Sequence, residues 1–191
     1  MKIGIDLDGV VIDSEQTFRT YEEIYDVDYL KGNHLVNSEE PKFQARYCWT
    51  KEEQAEFIKR YFLQISKESN LMSGFVGVYD LLKKQGNEFV VITARGGFVK
   101  EMKKDAIRLL EEQNIKFDKY YWNIDDKLEI CQKEKVDLMI DDDWKIVENL
   151  SNHHVKCLYF RDVGLKKLPE SEYLKEVRNW GEVYRYIKKM G

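Results

Sequence analysis

The chain has 191 residues, 43% of them hydrophobic and 35% charged, with a formal net charge of −4. That length suits one core domain with a small appendage, and the composition excludes a disordered chain. The missing basic footprint excludes wrapping of a nucleic-acid polymer. Three widely spaced cysteines, Cys48, Cys131 and Cys157, form no CxxC pair. They argue against a disulfide frame or zinc site and read as buried free thiols of a reducing compartment. No apolar run reaches ~18 residues and no signal peptide precedes the first strand, so a soluble, cytoplasmic protein without a membrane partner is expected.

In chain order, Lys2–Leu7 predicts a first strand, closed by Asp6-Leu7-Asp8-Gly9. Residues i and i+2 of a strand share a face. At the strand's C-terminal end both carboxylates therefore project toward one small volume. Close carboxylates repel unless a cation sits between them, so the pair points to Mg²⁺ or to an acid and a base with separated pKa values. On its own such a pair is more often a loop start or helix cap. From Asp13 to about Met72 no convincing strand appears, and the segment reads as helical, punctuated by Gly32 and Pro41. Ser14–Tyr25 is one helical candidate. Thr50-Lys51-Glu52-Glu53 is a capping box that opens a second, with Ala55, Ile58, Phe62 and Ile65 as its apolar stripe. An insertion this long predicts a small cap over the strand ends, giving a core of 1–13 and 73–191 and a cap of 14–72.

Beyond Met72, strands and helices alternate. Gly74–Gln85 predicts a helix with Val78, Leu81 and Leu82 on one face, stopped at Gly86. Strands are predicted at Glu88–Thr93, Lys119–Trp122, Val136–Ile140 and Val155–Phe160. Helices are predicted after Arg95 (Val99, Met102, Ala106, Leu109, Leu110), at Asp143–Leu150 with Trp144 and Val147 inward, and from Asn179-Trp180-Gly181-Glu182 onward. The fold class is therefore α/β, a Rossmann-like doubly wound parallel sheet, whose ligands bind beyond the strands' C-terminal ends. Polar residues follow three of those ends: Asp6 and Asp8; Thr93-Ala94-Arg95; and Asp141-Asp142-Asp143. His153 and His154 lie far from any such end and read as a solvated turn.

Taken together, these segments resemble the haloacid dehalogenase (HAD) superfamily of phosphotransferases. Asp6-Leu7-Asp8 matches its first motif, Val90-Val91-Ile92-Thr93 its second, Lys127 at a helix start its third, and Asp141-Asp142 its fourth. Lys133 and Lys135 are the alternatives for the third, but both lie away from the helix N-terminus. The resemblance implies an aspartyl-phosphate on Asp6, with Asp8 as acid and then base. It further implies Mg²⁺ held by Asp6, the Asp8 main-chain carbonyl and Asp141, with Thr93 and Lys127 on the phosphoryl oxygens. Asp142 would hold a metal-bound water, and Asp143 would cap the next helix.

An acid at Asp8 favours phosphoryl transfer over dehalogenation, because an alkoxide leaving group needs a proton. The cap lysines Lys31, Lys42, Lys51, Lys59 and Lys67 read as solvated faces. Asp-Leu-Asp-Gly-Val-Val, the Ile-Asp-Asp-Asp run and Asn179-Trp180-x-Glu182 look like the 5′(3′)-deoxyribonucleotidase branch, although Ala94-Arg95-Gly96 departs from it. That likeness implies a small phosphorylated substrate, a (deoxy)nucleoside monophosphate. Ala94 and Arg95 would then lie beside the substrate, and Phe18, Tyr47 or Trp49 would stack on its base. Three alternatives stand beside this reading: aromatics that merely fill the cap's core, a phosphatase for sugar phosphates or another small metabolite, and a non-catalytic phosphate-binding module. The sequence leaves the oligomeric state open.

Overall fold

The structure is a computed structural model that describes residues 1–40, 42–97, 99–161 and 167–190; Pro41 lies outside the described residues. Its strands are β1 (Lys2–Ile5), β2 (Ile12–Asp13), β3 (Asn70–Leu71), β4 (Glu88–Thr93), β5 (Lys119–Trp122), β6 (Leu138–Asp141), β7 (Cys157–Phe160) and β8 (Leu174–Val177). Its α-helices are α1 (Ser14–Ile24), α2 (Phe43–Arg46), α3 (Lys51–Glu68), α4 (Phe75–Lys84), α5 (Glu101–Glu112), α6 (Leu128–Glu134), α7 (Trp144–Asn152) and α8 (Trp180–Met190), with a π-helical turn at Tyr25–Tyr29. Six strands form a parallel sheet in the order β5-β4-β1-β6-β7-β8. Among the described residues no helix is long and apolar enough to cross a membrane.

The alternation of side chains along these strands divides the core in two. Ile3, Ile5, Phe89, Val91, Leu138, Ile140, Leu158 and Phe160 pack on one face against Phe75, Tyr79 and Leu82 of α4, Ala106 and Leu110 of α5, and Trp180, Val183 and Ile187 of α8. Val90, Ile92, Met139, Cys157 and Tyr159 pack on the other against Cys131 of α6 and Val147 and Leu150 of α7. Strands buried on both faces explain the near-continuous apolar runs in the sequence.

β2 and β3 pair antiparallel, Ile12 with Leu71 and Asp13 with Asn70. They are the two chain passages into and out of a helical layer built from α1, the π-helical turn, α2 and α3. That layer has its own core of Tyr25, Tyr47, Trp49, Phe57 and Ile65. The Thr50 capping box is present, with both reciprocal bonds made.

Several expectations need correction. Strand β8 is absent from the sequence reading, because Leu174-Lys175-Glu176-Val177 on a sheet edge is half charged. The buried face of α3 is centred on Phe57, Ile65 and Ser66, and Ala55 is exposed. In α4 the inward residues are Phe75, Tyr79 and Leu82, while Leu81 points outward. Cys48 is exposed, whereas Cys131 and Cys157 are buried free thiols. His153 and His154 sit exposed after α7.

Candidate active site

β1 lies between β4 and β6, so the C-terminal ends of these three neighbours bring Asp6, Thr93 and Asp141 to one place. The Asp6 N–H donates to Ile140 O at 3.0 Å, which extends the β1–β6 ladder to the carboxylate. The chain then turns sharply. Leu7 O accepts the N–H groups of Val11 (2.9 Å) and Ile12 (2.8 Å), and Gly9 takes φ +70°, a region that favours glycine. A Cβ on Gly9 would lie 2.1 Å from Asp142 Oδ2, so this glycine also lets the fourth motif approach the first. From the far end of the chain, Trp180 Nε1 donates to Val10 O at 2.9 Å and ties the turn to α8.

Lys127 caps the start of α6 and reaches back under the sheet ends. Its Nζ donates to Asp6 Oδ1 at 2.7 Å and to Asp141 Oδ2 at 2.6 Å. All three side chains are buried, Lys127 at 5%, Asp6 at 9% and Asp141 at 1% exposure. Burial opposes the Lys127 charge, but Asp141 and Asp6 outweigh it and hold the ammonium well above its ordinary range. Burial pushes the Asp141 carboxyl up, against the pull of Lys127. Lys133 and Lys135 are both exposed.

Oxygen atoms of Asp6, Asp141 and Asp142 lie within 4.8 Å of one another. Three carboxylates against one ammonium leave uncompensated negative charge, and hard oxygen donors are what Mg²⁺ selects. This grouping brings Asp142, assigned only a water by sequence, as near as the other two. Asp141 Oδ1 accepts the Asp143 N–H at 2.9 Å, and Asp143 caps α7 by accepting the Lys145 N–H at 2.9 Å.

The Asp8 carboxylate turns away from this cluster, toward Arg95. Arg95 Nη2 lies 3.5 Å from Asp8 Oδ1, and the Asp8 side chain is 34% exposed. Burial of one edge raises the Asp8 pKa, Arg95 opposes the rise and Asp6 adds to it. A carboxyl that keeps its proton more readily suits a general acid. Thr93 ends β4, buried, and its Oγ1 accepts the Arg95 N–H at 3.2 Å. Its hydroxyl proton remains available to a phosphoryl oxygen. Ala94 is exposed at the turn. Arg95 itself is not in solvent: its side chain is 1% exposed, with Nη2 3.4 Å from Ser66 Oγ on α3.

The aromatic residues lie elsewhere. Tyr47 and Trp49 are 3% and 5% exposed, stack on each other at 4.4 Å, and are held by Glu23 and Asp26 (Tyr47 Oη to Glu23 Oε1 2.8 Å, Trp49 Nε1 to Asp26 Oδ1 2.7 Å). Trp49 also meets Tyr25 edge-on at 5.0 Å. Phe18 packs against Phe57 and Phe62. The expectation that Tyr47 or Trp49 stacks on a base is therefore withdrawn, because their faces are spent on the helical layer's own core. Lys42 is exposed, as expected of a solvated face, and also bridges to Asp143 Oδ2 at 3.1 Å. Sequence pattern alone singles out neither Lys42 nor Ser66, since both are ordinary surface-type residues in a helical segment. Gly9 carried a signal, a glycine directly after an acidic pair.

No protein-family model matches the chain, and a search of curated proteins gives no match. Among solved structures it is similar to a haloacid dehalogenase-like family hydrolase from Streptococcus pneumoniae, at TM-score 0.69 and 16% identity over 97% of both chains. It is similar to a predicted phosphatase from Clostridium acetobutylicum, at TM-score 0.65 and 16% identity over 98% of both. A third is a putative HAD-hydrolase from Bacillus subtilis bound to magnesium, at TM-score 0.62 and 12% identity over 97% of both. At these identities the likeness is one of fold: the chain has a HAD-like Rossmann-type α/β architecture.

Proposed function

We propose that the protein is a Mg²⁺-dependent phosphomonoesterase that acts through a phosphoryl group carried on Asp6. The observation that carries this reading is Lys127 Nζ, 2.7 Å from Asp6 and 2.6 Å from Asp141, beneath a third carboxylate on Asp142. Asp6, Asp141 and Asp142 would hold the ion, which when bound offsets charge on the transferring phosphoryl group. Asp6 attacks phosphorus and the ester oxygen leaves. Asp8 gives that oxygen its proton and afterwards takes one from the attacking water. Lys127 and Thr93 hold phosphoryl oxygens, Lys127 as a compact charge.

The finer assignment to a 5′-nucleotidase came from motif likeness, and the aromatics offered for stacking on its base, Tyr47 and Trp49, are used inside the helical layer. A small phosphorylated metabolite is therefore the better-supported substrate class. The fold likeness to a predicted phosphatase and to a magnesium-bound hydrolase supports the same reading. Phosphate release from p-nitrophenyl phosphate with Mg²⁺ tests it. Turnover is expected with Mg²⁺ and lost in EDTA and in Asp6→Asn, with unchanged circular dichroism. A folded Asp6→Asn that still turns over would remove the phospho-Asp6 route, and a wild-type protein that binds phosphate without turnover would favour a binding module.

A further inference from the structure

A cavity of about 650 Å³ lies at the open edge of the sheet, between α5 and β5. That is the size of a site for a small organic molecule. None of Asp6, Asp8, Thr93, Lys127 and Asp141 lines it, so it is separate from the catalytic cleft. It arises because β5 is the last strand on its side. α5 lays Ala106 and Leu110 on the sheet face, and among the described residues no further strand pairs with the outer edge of β5. The floor is apolar: Leu110 and Ile115 are buried, with Ile107 of α5 beside them. One wall is aromatic. Tyr120 and Trp122 stand two apart on β5, so they share a face, and their rings are parallel to 5° with centroids 5.8 Å apart. Tyr120 is already fixed in place. Its Oη accepts the Phe117 N–H at 3.1 Å, and its ring meets Phe117 edge-on at 5.7 Å. Side chains ordered in advance lose little further freedom when a ligand meets them.

The polar rim selects the sign of that ligand. Lys103 and Lys116 line the cavity, and neither makes an ion pair among the described residues. Lys103 Nζ instead lies over the Trp122 ring, 5.1 Å from its centroid. An exposed contact of this kind is weak, so a carboxylate can draw the ammonium off and free that ring face for a flat group. Glu111 is the one carboxylate of the lining. Two ammoniums against one carboxylate leave a single positive charge, in a chain whose net charge is −4. A monoanion balances it. The apolar floor disfavours a compact hydrated anion, and the parallel rings favour a flat body. We infer that this cavity binds a planar aromatic monoanion, with its flat body along Tyr120 and Trp122 and its acidic group at the lysine rim. The inference goes beyond the phosphomonoesterase reading and does not rest on it.

The test is isothermal titration of the full chain with 2-naphthoate at pH 7 in EDTA, which keeps cations out of the acidic cluster. One molecule should bind per chain. 2-Naphthylmethanol has the same rings without the charge and should bind about 3- to 10-fold more weakly. Decahydro-2-naphthoate keeps the charge on saturated rings and should bind about 3- to 10-fold more weakly for want of stacking. In the Lys103→Gln/Lys116→Gln double variant the charge preference should fall to about one while the preference for flat rings persists. Trp122→Leu should do the reverse. No binding, either preference near one in the wild type, or preferences that ignore these substitutions overturn the inference. So does uptake of several molecules per chain with no preference, which marks an adventitious additive only. Where Trp122→Leu fails to fold, amide shifts of the ¹⁵N-labelled wild type decide. Shifts induced by 2-naphthoate should gather on α5 and β5, and shifts centred on any other element refute the site.

Discussion

Lys127→Met removes the one cation from between two buried carboxylates. At an effective dielectric near 20, each contact of this kind is worth about 4 kcal/mol, set against the cost of taking the charges out of water. The net loss on deleting one partner of a buried pair is about 3–5 kcal/mol, because the remaining charge stays uncompensated. For a chain of this size that corresponds to a fall in Tm of roughly 6–20 °C. The measurement is thermal unfolding of wild type and variant at pH 8 in EDTA, followed by far-ultraviolet circular dichroism. Two further readings follow from the same geometry. Mg²⁺ should return part of the lost stability, since a cation again lies among Asp6, Asp141 and Asp142. Lowering the pH should do so too. Burial raises the folded-state pKa of Asp141, so the folded variant takes up a proton before the unfolded chain does and gains stability as pH falls. A loss under about 1 kcal/mol in EDTA, or one indifferent to both Mg²⁺ and pH, would refute the view that Lys127 holds the two carboxylates together.

Gly9→Ala should lower Mg²⁺ affinity and turnover sharply and lower Tm by roughly 2–8 °C, because the added Cβ meets Asp142 Oδ2 at 2.1 Å and φ is +70°; isothermal titration with Mg²⁺ and thermal unfolding check it. Trp49→Ala should cost about 3–5 kcal/mol of stability by leaving a hole between Tyr47, Tyr25 and Phe57. Its ratio of KM for a nucleoside monophosphate to KM for p-nitrophenyl phosphate should not move, and a selective rise for the nucleotide would reinstate base stacking. Bonds from Lys119 and Tyr121 lower the Glu134 pKa to about 2 from an ordinary value of 4.5. Glu134→Gln should therefore be less stable than wild type at pH 7, with a gap that closes as pH falls from about 4.5 toward 2. Turnover at pH 7 should be unaffected, since Glu134 bonds Lys2 and Lys119 at the opposite ends of the strands from Asp6.

The buried strands were legible because both faces of a parallel sheet are covered, so β4 and β7 fall within the apolar runs that predict them. β8 was not, since an edge strand needs no apolar run: Lys175 and Glu176 spend their length on the surface. Helix existence was readable from spacing, but facing only in part. Ile65 and Leu82 are buried as the stripes suggested, whereas Phe57 and Tyr79 are buried in place of Ile58 and Leu81, because a 3.6-residue period leaves the fine orientation to the partner surface. At the site, Asp6, Thr93, Lys127 and Asp141 were marked by strand and helix ends, which topology brings together. The partners of Arg95 and Lys42 come from the other layer, Ser66 to Arg95 and Asp143 to Lys42, and long-range pairs of that kind leave no local trace.

The indole bond from Trp180 to Val10 spans 170 positions of sequence. It makes the turn bearing Asp8 one of the last features to be secured as the chain is synthesised. The central strands can pair once β6 has emerged, yet Trp180, itself fully buried against Phe75 and Phe160, must arrive before the turn has its outer wall. Contacts so distant in sequence close late. A ribosome-bound chain short of α8 would thus carry Asp6 on a formed sheet while the turn beside it still lacked the bond to Val10. The fold in this way defers the closing of the turn that bears Asp8 until α8 has been made.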